Sequence, residues 1–302
     1  MEYVIETNNL SKTYGSINAV NSVNLRVKQG EIYGFLGLNG AGKTTTIRML
    51  LGMIRPSEGN VKVLGQVLGP GRSGPWGQVG HLVESPSAYP DLTVRENLDI
   101  ARRLHGLKNS NAVDDVMESL SIASYSKRKA GALSLGNLQR LGLARAMIHH
   151  PSLLILDEPA NGLDPAGVVE IRELIANLAK NGVTVFMSSH ILTEVDKLAT
   201  RIGIIHKGRM IEDLDANKLE QFRARRLKIK VRDFARAHAV LTRENYSATI
   251  TEDSIFVSDT RALETPEKIA CLLVNADTPP THLAVEQQNL EEHFMQLTGS
   301  TK

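Results

Sequence analysis

Cysteine is nearly absent. Cys271 stands alone among 302 residues, which excludes an internal disulfide and a cysteine cage for zinc. An excess of one charge is missing too: 35 Lys and Arg against 33 Asp and Glu leave a formal +2. The chain as a whole therefore has no electrostatic reason to bind nucleic acid, and no such partner is expected. Long apolar runs are lacking. Leu153–Leu156 and Ile269–Val274 fall far short of the roughly 18 residues needed to cross a bilayer. The opening MEYVIETNNL carries acidic residues and no apolar core behind positive charge, so a signal peptide is not expected. No internal repeat or low-complexity tract is found.

What is there has the composition of an ordinary globular chain, 42% apolar and 23% charged, long enough for one large domain and a smaller one. Val23, Leu25 and Val27 alternate with Asn24, Arg26 and Lys28, the period of a half-buried strand. Ile32–Leu36 is a short apolar run entering glycines, and Lys43 to Met53 reads as helix. Gly69 to Gly80 is too rich in Gly and Pro for regular structure and holds the only tryptophan, Trp76. Thr93 and Glu96 form a capping box ahead of a helix over Val94–His105, with Gly106 placed to end it. Further helices are expected over Ala112–Leu120 and Gly136–His149, the second stopped by Pro151.

Strand and helix then alternate. Leu153–Leu156 and Val183–Met187 read as strands, Pro165–Lys180 (N-capped by Asp164) and Ile191–Leu198 as helices, and Ile202–Ile211 as a hairpin turning at Lys207–Gly208. Such alternation predicts a mostly parallel sheet, interrupted by a helical insertion over about 85–150. Past Asp213 short strands (Leu227–Val231, Ala248–Thr251, Ile255–Val257) mix with helices (Pro266–Val274, Leu290–Leu297). The expected division is 1–213 and a small α/β domain over 214–302, joined near Leu214–Phe222. The basic stretch Arg223, Arg225, Arg226, Lys228, Lys230 and Arg232 reads first as a solvated strand face and linker, with acidic lipid or nucleic acid as the alternative.

Three segments carry chemistry. Gly37-Leu38-Asn39-Gly40-Ala41-Gly42-Lys43-Thr44 fits G-x-x-x-x-G-K-[ST] at a predicted strand-to-helix junction. Its glycines let successive N–H groups point into one concavity for phosphate, Lys43 can reach the β- and γ-phosphates, and the Thr44 hydroxyl can ligate magnesium. Asn39, Gly40, Ala41, Gly42 and Thr45 complete the candidate nucleotide loop. Leu153-Leu154-Ile155-Leu156 delivers Asp157 and Glu158 at the carboxyl end of a strand, where open α/β sheets bind ligands. Asp157 suits magnesium and Glu158 the polarisation of an attacking water. A small-molecule kinase would share the loop without needing that base, so the pair points to an ATPase. Third, Leu133-Ser134-Leu135-Gly136-Asn137-Leu138-Gln139-Arg140 sets Ser134 and Gly136 at a helix N-terminus able to grip a γ-phosphate, although Ser134 could be an ordinary N-cap.

That third segment resembles the LSGGQ signature of the ATP-binding cassette (ABC) ATPases. Three more segments follow the same family order over residues 1–213. Asn161-Gly162-Leu163-Asp164 is similar to the D-loop, Ser188-Ser189-His190 to the switch region, and Tyr14 in Lys12-Thr13-Tyr14-Gly15 to the aromatic that stacks on adenine. The resemblance implies a P-loop NTPase cassette with a mostly parallel core sheet, an antiparallel β-subdomain and a helical subdomain. It implies ATP and Mg²⁺ as ligands, and His190 at the γ-phosphate. Ser134 and Gly136 would act on the ATP of an opposite subunit in a homodimer or heterodimer, with Asp164 at the seam. Integral membrane permease subunits would hold the chain on the cytoplasmic face of the membrane.

The sequence departs from the family at Leu135, Asn137 and Glu84, the last standing where a glutamine is usual. Glu84 keeps an oxygen for magnesium but adds charge. With the closing Asn289-Leu290-Glu291-Glu292-His293-Phe294, these departures resemble the bacitracin and lantibiotic self-protection branch, which exports or expels peptide antibiotics. Drugs, lipids or ions are alternative cargoes. The rival class is a soluble ABC ATPase acting on DNA or ribosomes, and neither the usual coiled coils nor a second cassette is present.

Overall fold

Every residue of Ile32–Leu36 and of Leu153–Asp157 is buried, and in the computed structural model both segments lie inside one sheet. Such runs are apolar throughout because a parallel sheet is covered on both faces. The structure describes residues 3–69, 71, 73–84, 86–215, 225–251, 253–287, 294–295 and 297–298. Two compact units form, Met1–Ala216 and Asn217–Lys302. Most of the junction expected at Leu214–Phe222 lies outside the described residues.

The first unit opens with β1 (Tyr3–Tyr14), β2 (Ile17–Val23), β3 (Arg26–Lys28), β4 (Ile32–Leu36), α1 (Lys43–Leu50), β5 (Glu58–Val63), β6 (Gln66–Val67) and β7 (Val79–Leu82). Three helices follow, α2 (Val94–Leu104), α3 (Ala112–Ser119) and α4 (Leu135–Met147). It closes with β8 (Leu153–Asp157), α5 (Pro165–Lys180), β9 (Thr184–Ser189), α6 (Leu192–Asp196), β10 (Arg201–His206) and β11 (Arg209–Asp215). The core sheet runs β11-β10-β4-β9-β8-β7, parallel except for the antiparallel edge strand β11. A second sheet, β2-β1-β5-β6 with β3 also on β1, is antiparallel. One apolar core includes Ile5, Leu10 and Val61 of that sheet, Ile47 and Leu50 of α1, and Phe35 and Phe186 of the parallel sheet. Tyr33 and Phe186 stack with ring centroids 5.3 Å apart.

Several expectations change. The single strand read over Val23 to Val27 is two, β2 and β3, although Val23, Leu25 and Val27 are all fully buried as the alternation requires. Thr7 explains the break: its hydroxyl donates to the Val23 carbonyl (2.9 Å) and accepts from the Leu25 N–H (2.8 Å), replacing ladder bonds. The stretch Gly69 to Gly80 ends in regular structure, a 3-10 turn over Trp76–Gln78 and then β7. Gly80 pairs with Leu154 of β8 as a strand residue, and it is glycine because α4 crosses it closely. A Cβ there would lie 2.1 Å from the Ala146 carbonyl and 2.7 Å from Leu154.

The helical part forms with local signals satisfied. Thr93 and Glu96 make the reciprocal capping box of α2, and Gly106, at φ +68°, follows its end. Asp164 caps α5 by accepting from the Gly167 N–H at 2.9 Å. The rings of His105, at the end of α2, and His149, just past α4, stack with centroids 3.7 Å apart. Burial and the neighbouring His105 lower His149 to about 4, so at neutral pH it packs as an uncharged ring.

The second unit contains β12 (Arg225–Lys230), α7 (Phe234–Arg243), β13 (Ala248–Ile250), β14 (Ile255–Val257), α8 (Thr260–Glu264), α9 (Pro266–Asn275) and β15 (His282–Gln287). Its antiparallel sheet runs β13-β14-β12-β15, the split β-α-β-β-α-β arrangement. Leu227, Ile229, Ile255 and Val257 bury one face with Leu241 of α7 and Ile269 and Leu273 of α9. The basic stretch is largely paired within this sheet region: Lys228 with Glu286 (3.4 Å), Lys230 with Asp253 (2.7 Å), and Arg226 over the Phe256 ring (3.7 Å). Arg223 and most of the helix expected at Leu290–Leu297 lie outside the described residues, as does nearly all of the Asn289–Phe294 segment. Among the described residues no helix is long and apolar enough to cross a membrane.

Gly80→Ala should destabilise the protein by about 1–3 kcal/mol, because the new methyl meets backbone that cannot step aside. Thermal unfolding reads this as a lowered midpoint, and an unchanged midpoint would contradict the close α4–β7 contact.

Candidate active site

The loop between β4 and α1 turns at Gly40 (φ +79°) and Gly42 (φ +106°). A Cβ on Gly42 would lie 2.5 Å from the Ala19 carbonyl, so only glycine fits both the dihedral and the space. Gly42 is the N-cap of α1 and offers no side-chain cap. The N–H groups of Lys43, Thr44 and Thr45 begin the helix, where no carbonyl lies one turn back within it. Together with the helix dipole they make a site for an anion. Asn39 and Gly40 are exposed at the rim, Ala41 is buried beneath, and Thr44 and Thr45 are half-buried.

Lys43 is buried, a costly place for an ammonium without partners. Its Nζ donates to the carbonyls of Gly37 (2.7 Å) and Leu38 (3.3 Å) and lies 3.4 Å from Glu158 Oε1. One turn of chemistry away, Thr44 Oγ1 donates to Asp157 Oδ2 at 2.7 Å. The other oxygen of Asp157 accepts from Ser188 Oγ, which in turn accepts from the Glu158 N–H at 3.0 Å. The second carboxylate oxygen of Glu158 meets His190 Nδ1. Lys43, Thr44, Asp157, Glu158 and His190 are thus brought together at the carboxyl ends of β4, β8 and β9, with Ser188 joining the two acids.

Glu158 adopts φ +50°, a left-handed backbone that a non-glycine residue holds only when its surroundings enforce it. The enforcement is visible on both sides of the residue. Ser188 takes its N–H, and its carbonyl accepts from the Asn161 N–H (3.0 Å) and from the Gln139 side chain (3.4 Å).

The other candidate residues lie apart from this chain of contacts. Ser134 caps α4, accepting from the Asn137 N–H at 3.4 Å, with Gly136 in the first turn, and Asp164 caps α5. Their polar contacts are local. Tyr14 ends β1 with its ring 46% exposed and Lys12 Nζ 5.1 Å from its centroid. Glu84, at φ +60°, directs its carboxylate to Arg48 of α1 rather than to Thr44 or Asp157.

Ser188 and Gln139 were visible only as members of their motifs, with no role of their own. A hydroxyl at the buried end of an apolar strand beside β8 is the signal that marks Ser188. Thr44 and Asp157 offer hard oxygen donors of the kind magnesium takes along with phosphate oxygens and water. Among the described residues no cluster of three or more His, Cys, Asp or Glu side chains is arranged to hold a metal alone.

The family described as ABC transporter matches residues 20–161. The bacitracin transport ATP-binding protein BcrA of Bacillus licheniformis is 40% identical over 99% of this chain and 98% of its own length. This chain belongs to the ABC transporter ATP-binding family. Like its family it is an ATPase coupled to transport, and its α/β fold is that of the cassette. The lantibiotic transport ATP-binding protein SrtF of Streptococcus pyogenes is 36% identical, over 69% of this chain and 89% of its own. Among solved structures, an ATP-binding subunit of an ABC transporter superposes with a TM-score of 0.65 at 28% identity, covering 72% of this cassette chain and 93% of the other.

Ser188→Ala removes a donor from a buried carboxylate and should cost about 1.5–3 kcal/mol. Urea unfolding without nucleotide measures it, and an unshifted midpoint would contradict the bridging geometry.

Proposed function

We propose that this chain is the ATP-hydrolysing motor of a transporter that exports a bacitracin-like or lantibiotic-like peptide, or expels it from the membrane, through separate membrane subunits. The observation that carries the cargo reading is the 40% identity to a bacitracin transport protein along 99% of the chain. That alignment includes the second unit, beyond the cassette shared with cassettes in general.

In this reading the nucleotide phosphates sit on the N–H groups of Gly40 to Thr45, with the Lys43 ammonium beside the terminal phosphate. Tyr14 offers its exposed ring to the adenine. Thr44 and Asp157 hold Mg²⁺, which when bound neutralises charge on the phosphate oxygens. Glu158 polarises the attacking water, and His190 holds the outer oxygen of that carboxylate and faces the γ-phosphate. Ser134 and Gly136 are free to bind the ATP of a second subunit, since Ser134 has only a long 3.4 Å local bond to give up. That arrangement calls for a homodimer or a heterodimer of nucleotide-binding subunits, with Asp164 at the seam. Glu84 joins the metal only by exchanging its partner Arg48.

Permease subunits need a docking face, and a groove of about 690 Å³ supports one. Its lining includes Met53, Trp76, His81, Glu84, Leu104 and Arg145, and Leu104 is 78% exposed. Docking there places the chain at the cytoplasmic face of the membrane.

Glu158→Gln should bind ATP as the parent does while turnover falls about 10²–10⁴-fold. In a producer or resistant strain lacking this gene, the parent chain should restore tolerance to the peptide and Glu158→Gln should not. Unchanged turnover removes Glu158 as the base. Unchanged peptide tolerance on deletion removes the peptide cargo and leaves the ATPase.

A further inference from the structure

Gln139 sits in the second turn of α4 with only 2% of its surface exposed. A buried primary amide must place its N–H donors inside the protein. Gln139 Nε2 donates to the carbonyl of Pro159 at 3.0 Å and lies 3.4 Å from that of Glu158. These two carbonyls lie on either side of Pro159, directly after Glu158, the residue held at φ +50°. Ser188 fixes the N–H of Glu158 from β9, and Gln139 fixes its carbonyl side from α4.

The helix that supplies this amide begins at Ser134. It is itself braced: Arg140, next to Gln139, bonds the Glu170 carboxylate on α5 (2.6 Å) and the Leu120 carbonyl (3.2 Å). A tilt of α4 relative to β8 therefore acts on the Glu158–Pro159 backbone through one side chain. No other side chain of α4 donates to that turn among the described residues.

We propose that Gln139 is a positioning residue for ATP hydrolysis: its amide ties the Glu158–Pro159 turn to α4, so that the Glu158 carboxylate is aimed for turnover only while the helix holds that geometry. The inference rests on Glu158 being the base. Gln139 touches no reacting atom and acts through Glu158 alone. It also makes the base in one chain responsive to the helix whose N-terminus would meet the nucleotide of a second.

The test compares Gln139→Met, which keeps the length and fills the space without donors, with Gln139→Glu. For Gln139→Met the KM for ATP should stay within about twofold while kcat falls about ten- to a hundredfold, the scale of a misaimed group. ATP-driven dimerisation of Gln139→Met/Glu158→Gln should equal that of Glu158→Gln alone. Gln139→Glu can donate one hydrogen bond only when protonated, so its kcat relative to the parent should rise as pH is lowered. Parental kcat in Gln139→Met would overturn the proposal. Loss of ATP affinity and dimerisation together with kcat would also overturn it, by showing a structural role. A pH-independent ratio for Gln139→Glu would count against it in the same way. Parental turnover in Glu158→Gln would instead defeat the base assignment beneath it, and the two failures are read from different variants.

Discussion

A single buried carboxylate ties the site to the fold. Asp157, 4% exposed at the end of β8, accepts from Thr44 on α1 and from Ser188 on β9. An ionised carboxylate in that position is costly unless its oxygens are matched, and hydrogen bonds to a charged acceptor are among the stronger ones. Matching them fixes three chain segments against one another. The phosphate loop cannot move away from β8, nor β8 from β9, without leaving that charge unmatched. Glu158, the next residue, inherits its backbone direction from the same hydroxyl of Ser188.

The parallel sheet makes this possible by bringing the carboxyl ends of β4, β9 and β8 side by side. Ligands of open α/β sheets bind at that edge, where the helices that follow the strands present their N-termini. Here the central strand β4 gives the loop of Lys43, its neighbour β9 gives Ser188 and His190, and β8 gives the two acids. The helices α2 to α4 lie between β7 and β8 in the sequence, and α4 reaches the site through Gln139. The proposed base and the helix that would face a second subunit therefore meet at one turn.

Much of this was legible because its signals are local. The glycine-lysine-threonine loop, the apolar strands β4 and β8, the Thr93–Glu96 box and the Asp164 cap each need only a few adjacent residues to be read, and each lies where its pattern placed it. What was missed depends on distant neighbours. β1 went unread because Asn8 and Asn9 interrupt its apolar residues, and its pairing with β5 closes across some fifty residues. Gly80 reads as a loop residue until α4 is laid across it. α7 carries a mixed face, and β15 only half-buries Leu283 and Val285 against the second unit's core, so neither stands out as a pattern. Glu84 could be recognised as a departure, but its partner Arg48 lies 36 residues earlier. Gln139 and Ser188 are small polar letters inside motifs, and their contacts, 19 to 31 residues away, exist only in the fold.

The central claim is that the Lys43, Thr44, Asp157 and Glu158 constellation turns over ATP with magnesium, and does so between two subunits. Phosphate release by the purified chain, followed against magnesium and against protein concentration, tests it most directly. The account predicts release that requires Mg²⁺ and a rate per chain that rises with protein concentration before levelling off. Release that ignores magnesium, or a rate per chain independent of concentration with the protein monomeric throughout, would contradict it.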